Sequence, residues 1–203
     1  MRTVDLPGGN AATALLGAAA VAWVAVVVYE PPMGVVGFLL AWTVMMAAMM
    51  LPSILPLAAL HQGNDALLAV GYLATWSAAG LVPWELMEND LSPALPVVLV
   101  TAGIYELTPL KHMCLRRCRN PVGFLIKHSQ SNPFALGVRH ALWCMGCCVG
   151  LMAVLVLAAS MSLAWAAVIA GVVFVQKVMP LPETTTRVTG AALIFAAFAT
   201  AFS

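Results

Sequence analysis

The chain has 203 residues, of which 63% are hydrophobic and only 8% charged, with a net charge of +1. Soluble domains carry roughly 25% charged residues, so this balance excludes an ordinary water-soluble domain. The chain is also too apolar for disorder and too neutral for a nucleic-acid-binding surface. A polytopic membrane protein is the class that remains.

A helix needs about 20 apolar residues to cross the hydrocarbon core. Seven runs are candidates, in chain order Ala12–Tyr29, Val35–Leu60, Ala66–Pro83, Ala94–Leu110, His140–Ala159, Ser162–Gln176 and Val188–Phe202. They are continuous rather than alternating, which favours helices over a barrel. The first follows a segment with one Arg against one Asp, and reads as a membrane helix rather than a signal peptide. The expected fold is therefore an all-α transmembrane bundle of about seven helices forming a single domain. No internal repeat supports an inverted-repeat transporter.

With seven spans, all nine basic residues fall on one side: Arg2; Lys111, Arg116, Arg117, Arg119, Lys127 and Arg139; Lys177 and Arg187. The other side carries Glu30, Glu85, Glu88 and Asp90. Positive charge stays cytoplasmic, so the N-terminus is expected inside and the C-terminus outside, in an inner or cell membrane of bacterial type. The connection at about 111–139 is the only long one and holds most of the cations.

The second run contains Met45, Met46, Met49 and Met50, two pairs spaced i, i+4 that each share a helix face. Soft thioethers favour Cu(I), while Met also serves as flexible apolar filler. Pro52 and Pro56 break the same helix's hydrogen-bond ladder and predict a distortion there. The fourth run carries Glu106, an intramembrane carboxylate that points to a functional site or to pairing with Lys111. Pro109 leaves a carbonyl near residue 105 without its usual partner. Gln176 and Lys177 end the sixth run on the same side and are further partners for Glu106.

Past the fourth run come His112, Cys114 and Cys118. If the helix continues there, the two cysteines share a face, and Arg116, Arg117 and Arg119 are expected to favour thiolate over thiol. The alternative is a basic anchor on the inner leaflet. The fifth run opens with His140, Cys144, Cys147 and Cys148, which place an imidazole and three thiols on one helix face within about two turns. Three cysteines within five residues are hard to explain as packing. Gly146 and Gly150 form a small-xxx-small pair suited to close helix contact. By span assignment, all five cysteines, His112 and His140 lie at one depth, near the cytoplasmic interface.

Cytosolic thiols are kept reduced, so a metal site is favoured over a structural disulfide. Zinc held by thiolates and imidazole is possible; thiolates together with a Met-lined helix favour Cu(I). The motifs resemble those of an uncharacterised family of metal-binding integral membrane proteins, domain-of-unknown-function family 2182. The resemblance rests on Met45-Met46-Ala-Ala-Met49-Met50-Leu-Pro52, on Tyr105 to Lys111 with Cys114, Cys118, Arg119 and Pro121, and on Cys144-Met145-Gly146-Cys147-Cys148 with Leu151-Met152. It covers most of the chain from the second run to the sixth and implies metal binding. The family often has Gln at the position of Glu106 and Glu at that of Gln176, so this chain departs at two polar positions.

Three functions follow as expectations. The first is Cu(I) handling, by transport or by delivery to a partner membrane enzyme. The second is an accessory subunit of a larger membrane complex, such as a copper-containing monooxygenase or oxidase. The third is a thiol oxidoreductase using the Cys144-x-x-Cys147 spacing. No hydrolase or phosphate-loop motif is present, and no catalytic residue is assigned. The expected partners are the lipid bilayer and other membrane subunits or further copies of the chain, with no nucleic acid.

Overall fold

A computed structural model describes residues 9–28, 34–87, 94–158 and 163–201. Arg2, Glu30, Glu88 and Asp90, which entered the charge reading, and both chain ends lie outside the described residues. All regular structure among the described residues is helical. Among the described residues, three helical stretches are long and apolar enough to cross a membrane: Val35–Leu60, Asp65–Leu86 and Pro133–Leu157. Ala12–Val28, Leu95–Leu107 and Leu163–Val178 are shorter apolar helices. Large apolar side chains such as Val28, Ile126 and Phe195 are exposed, which is compatible with a membrane location.

The chain forms two compact units. The first is drawn from Met1–Gly80 and Asn120–Leu142. It opens with α1 (Gly9–Val28), which buries Leu15, Ala19 and Ala22 at the three-and-four spacing of one helix face. Next comes α2 (Val35–Met50), entered through Gly34 at φ 107, a backbone state that an L side chain adopts only with strain. Pro52 and Pro56 then do what their chemistry predicts. The run to residue 60 splits into a 3₁₀ turn, Leu51–Ile54, and α3, Leu55–Leu60, with a proline in the first turn of each piece. The Met50 carbonyl accepts from Ser53 Oγ at 2.7 Å. The distortion is thus satisfied within the unit, as apolar surroundings require.

Helix α4 (Asp65–Ala79) is capped by Asn64, whose side chain accepts from Leu67 N at 3.0 Å. It is tied to α2 by Trp42 Nε1 donating to Trp76 O at 2.8 Å and by Thr43 Oγ1 meeting Ser77 Oγ at 2.8 Å.

The second unit comprises Leu81–Arg119 and Trp143–Ser203. It contains α5 (Leu81–Met87), α6 (Leu95–Leu107) and α7 (Pro109–Cys118). The connection at 111–139 is itself largely helical. After α7 it holds α8 (Pro121–Lys127), capped by Asn120, and the start of α9 (Pro133–Ala158), both of which lie in the first unit. Asn132 and Pro133 form the start signal of α9, with Ala135 N donating to Asn132 Oδ1 at 2.7 Å; the helix therefore begins seven residues before His140. Its residues to Leu142 belong to the first unit and those from Trp143 to the second. Helices α10 (Leu163–Val178) and α11 (Pro182–Ala201) complete the second unit.

Within that unit, α6 and α11 approach closely at Gly103 and Gly190. A Cβ on either glycine would lie 2.8 Å from the other's carbonyl oxygen. Leu99, Ala102, Val154 and Ala197 form an apolar cluster beside this contact.

Candidate metal centre

The site is built where α6 gives way to α7. Helix α6 ends at Leu107, and Thr108 caps α7 by accepting from Lys111 N at 3.3 Å. Pro109 occupies the first turn of α7, where its missing N–H costs nothing. The Tyr105 carbonyl, deprived of its helical donor, accepts from Thr108 N at 3.0 Å and Thr108 Oγ1 at 2.7 Å. This break leaves Lys111 in the first turn of α7 and Cys118 at its end.

Lys111 is not a surface cation. It and Glu106 are both fully buried, at 0% exposure. Its ammonium donates to Glu106 Oε1 at 2.6 Å, to Gln176 Oε1 at 2.9 Å and to the Cys147 carbonyl. All three ammonium protons therefore have acceptors. Gln176 Nε2 in turn donates to Glu106 Oε2 at 2.8 Å, and Arg119 donates to the Gln176 carbonyl at 2.7 Å. Of the polar partners expected for Glu106, Lys111 and Gln176 fill that role.

The network fixes the backbone of α9 where the thiols project. Cys144, Cys147 and Cys148 are buried, and their sulfurs all lie within 4.8 Å of one another. Cys147 Sγ is 3.5 Å from Cys148 Sγ and donates to the Cys144 carbonyl at 3.1 Å. Cys118, from α7, reaches within 3.8 Å of Cys147 Sγ. None of the five cysteines is in a disulfide. Metal–sulfur bonds of about 2.3 Å bring ligand sulfurs to roughly 3.8–4.0 Å of one another, so the thiols stand close to ligating separations already. Lys177 Nζ donates to Cys144 Sγ at 2.9 Å. Nothing in the local sequence pairs these two residues; they meet only because α10 packs beside α9.

The other predicted residues have their own surroundings. Cys114 is buried, and its sulfur lies 2.8 Å from where a Cβ on Gly146 would be. The small-xxx-small pair therefore serves contacts with α7 and α6: Gly146 receives Cys114 and the Tyr105 hydroxyl, and Gly150 lies against Ala102. His112 Nε2 pairs with Thr186 Oγ1 at 3.1 Å. His140 belongs to the first unit, where its ring contacts Tyr72 and Phe124 at centroid distances of 6.0 and 5.4 Å. Met45, Met46, Met49 and Met50 are buried in the same first unit.

The expectation that the arginines favour thiolate is reversed at Cys114. Burial pushes its thiol above the ordinary value, outweighing Arg117 and Lys111, which pull it down. Cys118 is pushed up as well, chiefly by its hydrogen bond with Cys144. Arg117 is spent otherwise, lying 4.2 Å over the Trp143 ring. Because thiol alkylation follows the thiolate fraction and access, Cys114 should react with iodoacetamide at neutral pH at least about tenfold more slowly than in the denatured chain. Mass spectrometry after timed quenching checks this, and labelling at the denatured rate would refute it.

These features define a helical protein with a buried thiol cluster suited to a soft metal ion. The profile of a family described as PpoB2, copper chaperone, matches residues 39–200, a span that includes all four α2 methionines and all five cysteines. The chain belongs to this copper chaperone family, and the expectation of metal binding narrows to copper. No curated protein and no solved structure matches the chain.

Proposed function

We propose that this chain is an integral membrane protein that binds Cu(I) as cargo and delivers it to a partner membrane protein. The observation that carries the reading is the buried set Cys144, Cys147 and Cys148 within 4.8 Å, in a chain of the copper chaperone family. Thiolates are soft donors that select Cu(I), and their spacing asks for little rearrangement on binding. Three thiolates around a monovalent ion leave excess negative charge, which the Lys177 ammonium at Cys144 offsets. In this reading the Met45/Met49 and Met46/Met50 pairs are thioether stations for the same ion, and the basic segment at 111–139 faces the cytoplasm with the N-terminus.

The test is metal content. Full-length protein, purified in mild detergent under reducing anaerobic conditions, should retain about one copper per chain on dialysis. Substituting Cys144, Cys147 and Cys148 together by Ser should reduce retained copper to background. Unchanged copper in that variant overturns the assignment of these thiols. Retention of zinc in place of copper overturns the choice of metal, since a fourth thiol at Cys118 would also complete a tetrahedral zinc site.

A further inference from the structure

An ion held by Cys144, Cys147 and Cys148 is out of reach of any donor or acceptor, because these residues are only 0%, 2% and 1% exposed. A soft ion passes between thiolates without being released when the incoming sulfur reaches it before the outgoing one departs. A buried cluster therefore needs one sulfur that touches both the outside and the inner set. Cys118 combines partial exposure with contact to the inner set. It is half-buried at the last residue of α7, and its sulfur is 3.8 Å from Cys147 Sγ. Cys114, one turn earlier on the same helix, is buried against Gly146 and lacks the outward access. The end of α7 is also held in place: the residue after Cys118, Arg119, is bonded to the Gln176 carbonyl, and the next residue of α10, Lys177, contacts Cys144.

We propose that Cys118 is the exchange thiol of this cluster, the sulfur through which Cu(I) enters and leaves the buried set. The inference rests on the proposed copper function. In the loading step a Cu–S bond to Cys118 forms as the Cu–S bond to the donor thiolate breaks. The Cys118 proton passes to the departing donor sulfur. Copper stays monovalent throughout, so no electron acceptor or donor is required. The ion then moves on to Cys147 and its neighbours by the same exchange.

The experiment uses full-length copper-loaded protein in detergent and bathocuproine disulfonate, a polar Cu(I) chelator, as acceptor. With Cys118→Ser, the rate of copper extraction should fall by at least about tenfold, in the range of losses seen when a supporting group at a metal site is removed. The copper retained before chelator is added should change far less than in the triple variant. Cys118→Met, which keeps a soft sulfur, should recover part of the rate. Extraction at the wild-type rate from Cys118→Ser overturns the proposal. So does loss of copper to background in that variant, which would make Cys118 a resident ligand. Copper retention by the Cys144/Cys147/Cys148 triple variant would instead show that the underlying site reading is wrong. A second measurement avoids substitution: in the copper-free wild type, a polar maleimide should label Cys118 ahead of the four buried thiols, its partial exposure outweighing the raised pKa that slows it, and the labelled protein should load copper slowly. Loading at the native rate after Cys118 is labelled also overturns it.

Discussion

Lys111→Met should destabilise the protein by about 3–5 kcal/mol, the cost of leaving a buried charge without its partner. The ammonium meets Glu106, Gln176 and the Cys147 carbonyl, and nothing else among the described contacts neutralises the Glu106 carboxylate. With the lysine gone, that carboxylate keeps only the Gln176 amide, and the Cys147 carbonyl loses its side-chain donor. Thermal unfolding in detergent, followed by tryptophan fluorescence, measures the loss. Lys111→Met combined with Glu106→Leu should recover most of it, because replacing a whole buried ion pair by apolar groups is often near neutral. A single variant within about 1 kcal/mol of wild type would mean that the pair does not hold this region together.

Gly137→Ala should cost about 1–3 kcal/mol or more, the range for forcing extra atoms into a packed core. A Cβ there would lie 2.1 Å from the Leu68 carbonyl oxygen and 2.9 Å from Tyr72 N. On the facing helix, a Cβ at Gly71 would lie 2.2 Å from the Phe134 carbonyl oxygen. These obstacles are backbone atoms, so no side chain can swing aside, and α4 must separate from the start of α9. The comparison is Gly171→Ala in α10, whose Cβ meets nothing within 4 Å. That change should be neutral or stabilise by up to about 1 kcal/mol through helix propensity. Equal unfolding temperatures for the two alanine variants would refute the close-contact account.

What could be read from sequence followed the range of the interactions. The Cys144, Cys147 and Cys148 stripe was legible because helical periodicity is local, and the second run was legible for the same reason, matching Val35–Leu60 at both ends. The prolines at 52, 56 and 109 marked their breaks because a missing N–H acts within one turn. The Glu106–Lys111 pair, five residues apart, was also within reach of local reasoning. Lys111 as a fully buried residue was not. Its placement depends on Cys147 and Gln176, 36 and 65 residues away, and a charge count treats it as one more surface cation. The Cys114 thiol was misjudged for a related reason: sequence exposes the neighbouring arginines but not the depth of burial that outweighs them. Lys177 meeting Cys144 across 33 residues likewise needed the fold.

The Glu106–Lys111–Gln176 triangle also constrains how this chain can vary. Gln176 turns its oxygen to the ammonium and its nitrogen to the carboxylate, so the three groups close a ring of hydrogen bonds. The ring requires one carboxylate and one amide around one ammonium, and it is indifferent to which helix supplies which. Moving the amide to α6 and the carboxylate to α10 keeps every donor, every acceptor and the zero sum of charge. Two positions 70 residues apart therefore answer to one ammonium, so a change of charge at either alters what the other must supply.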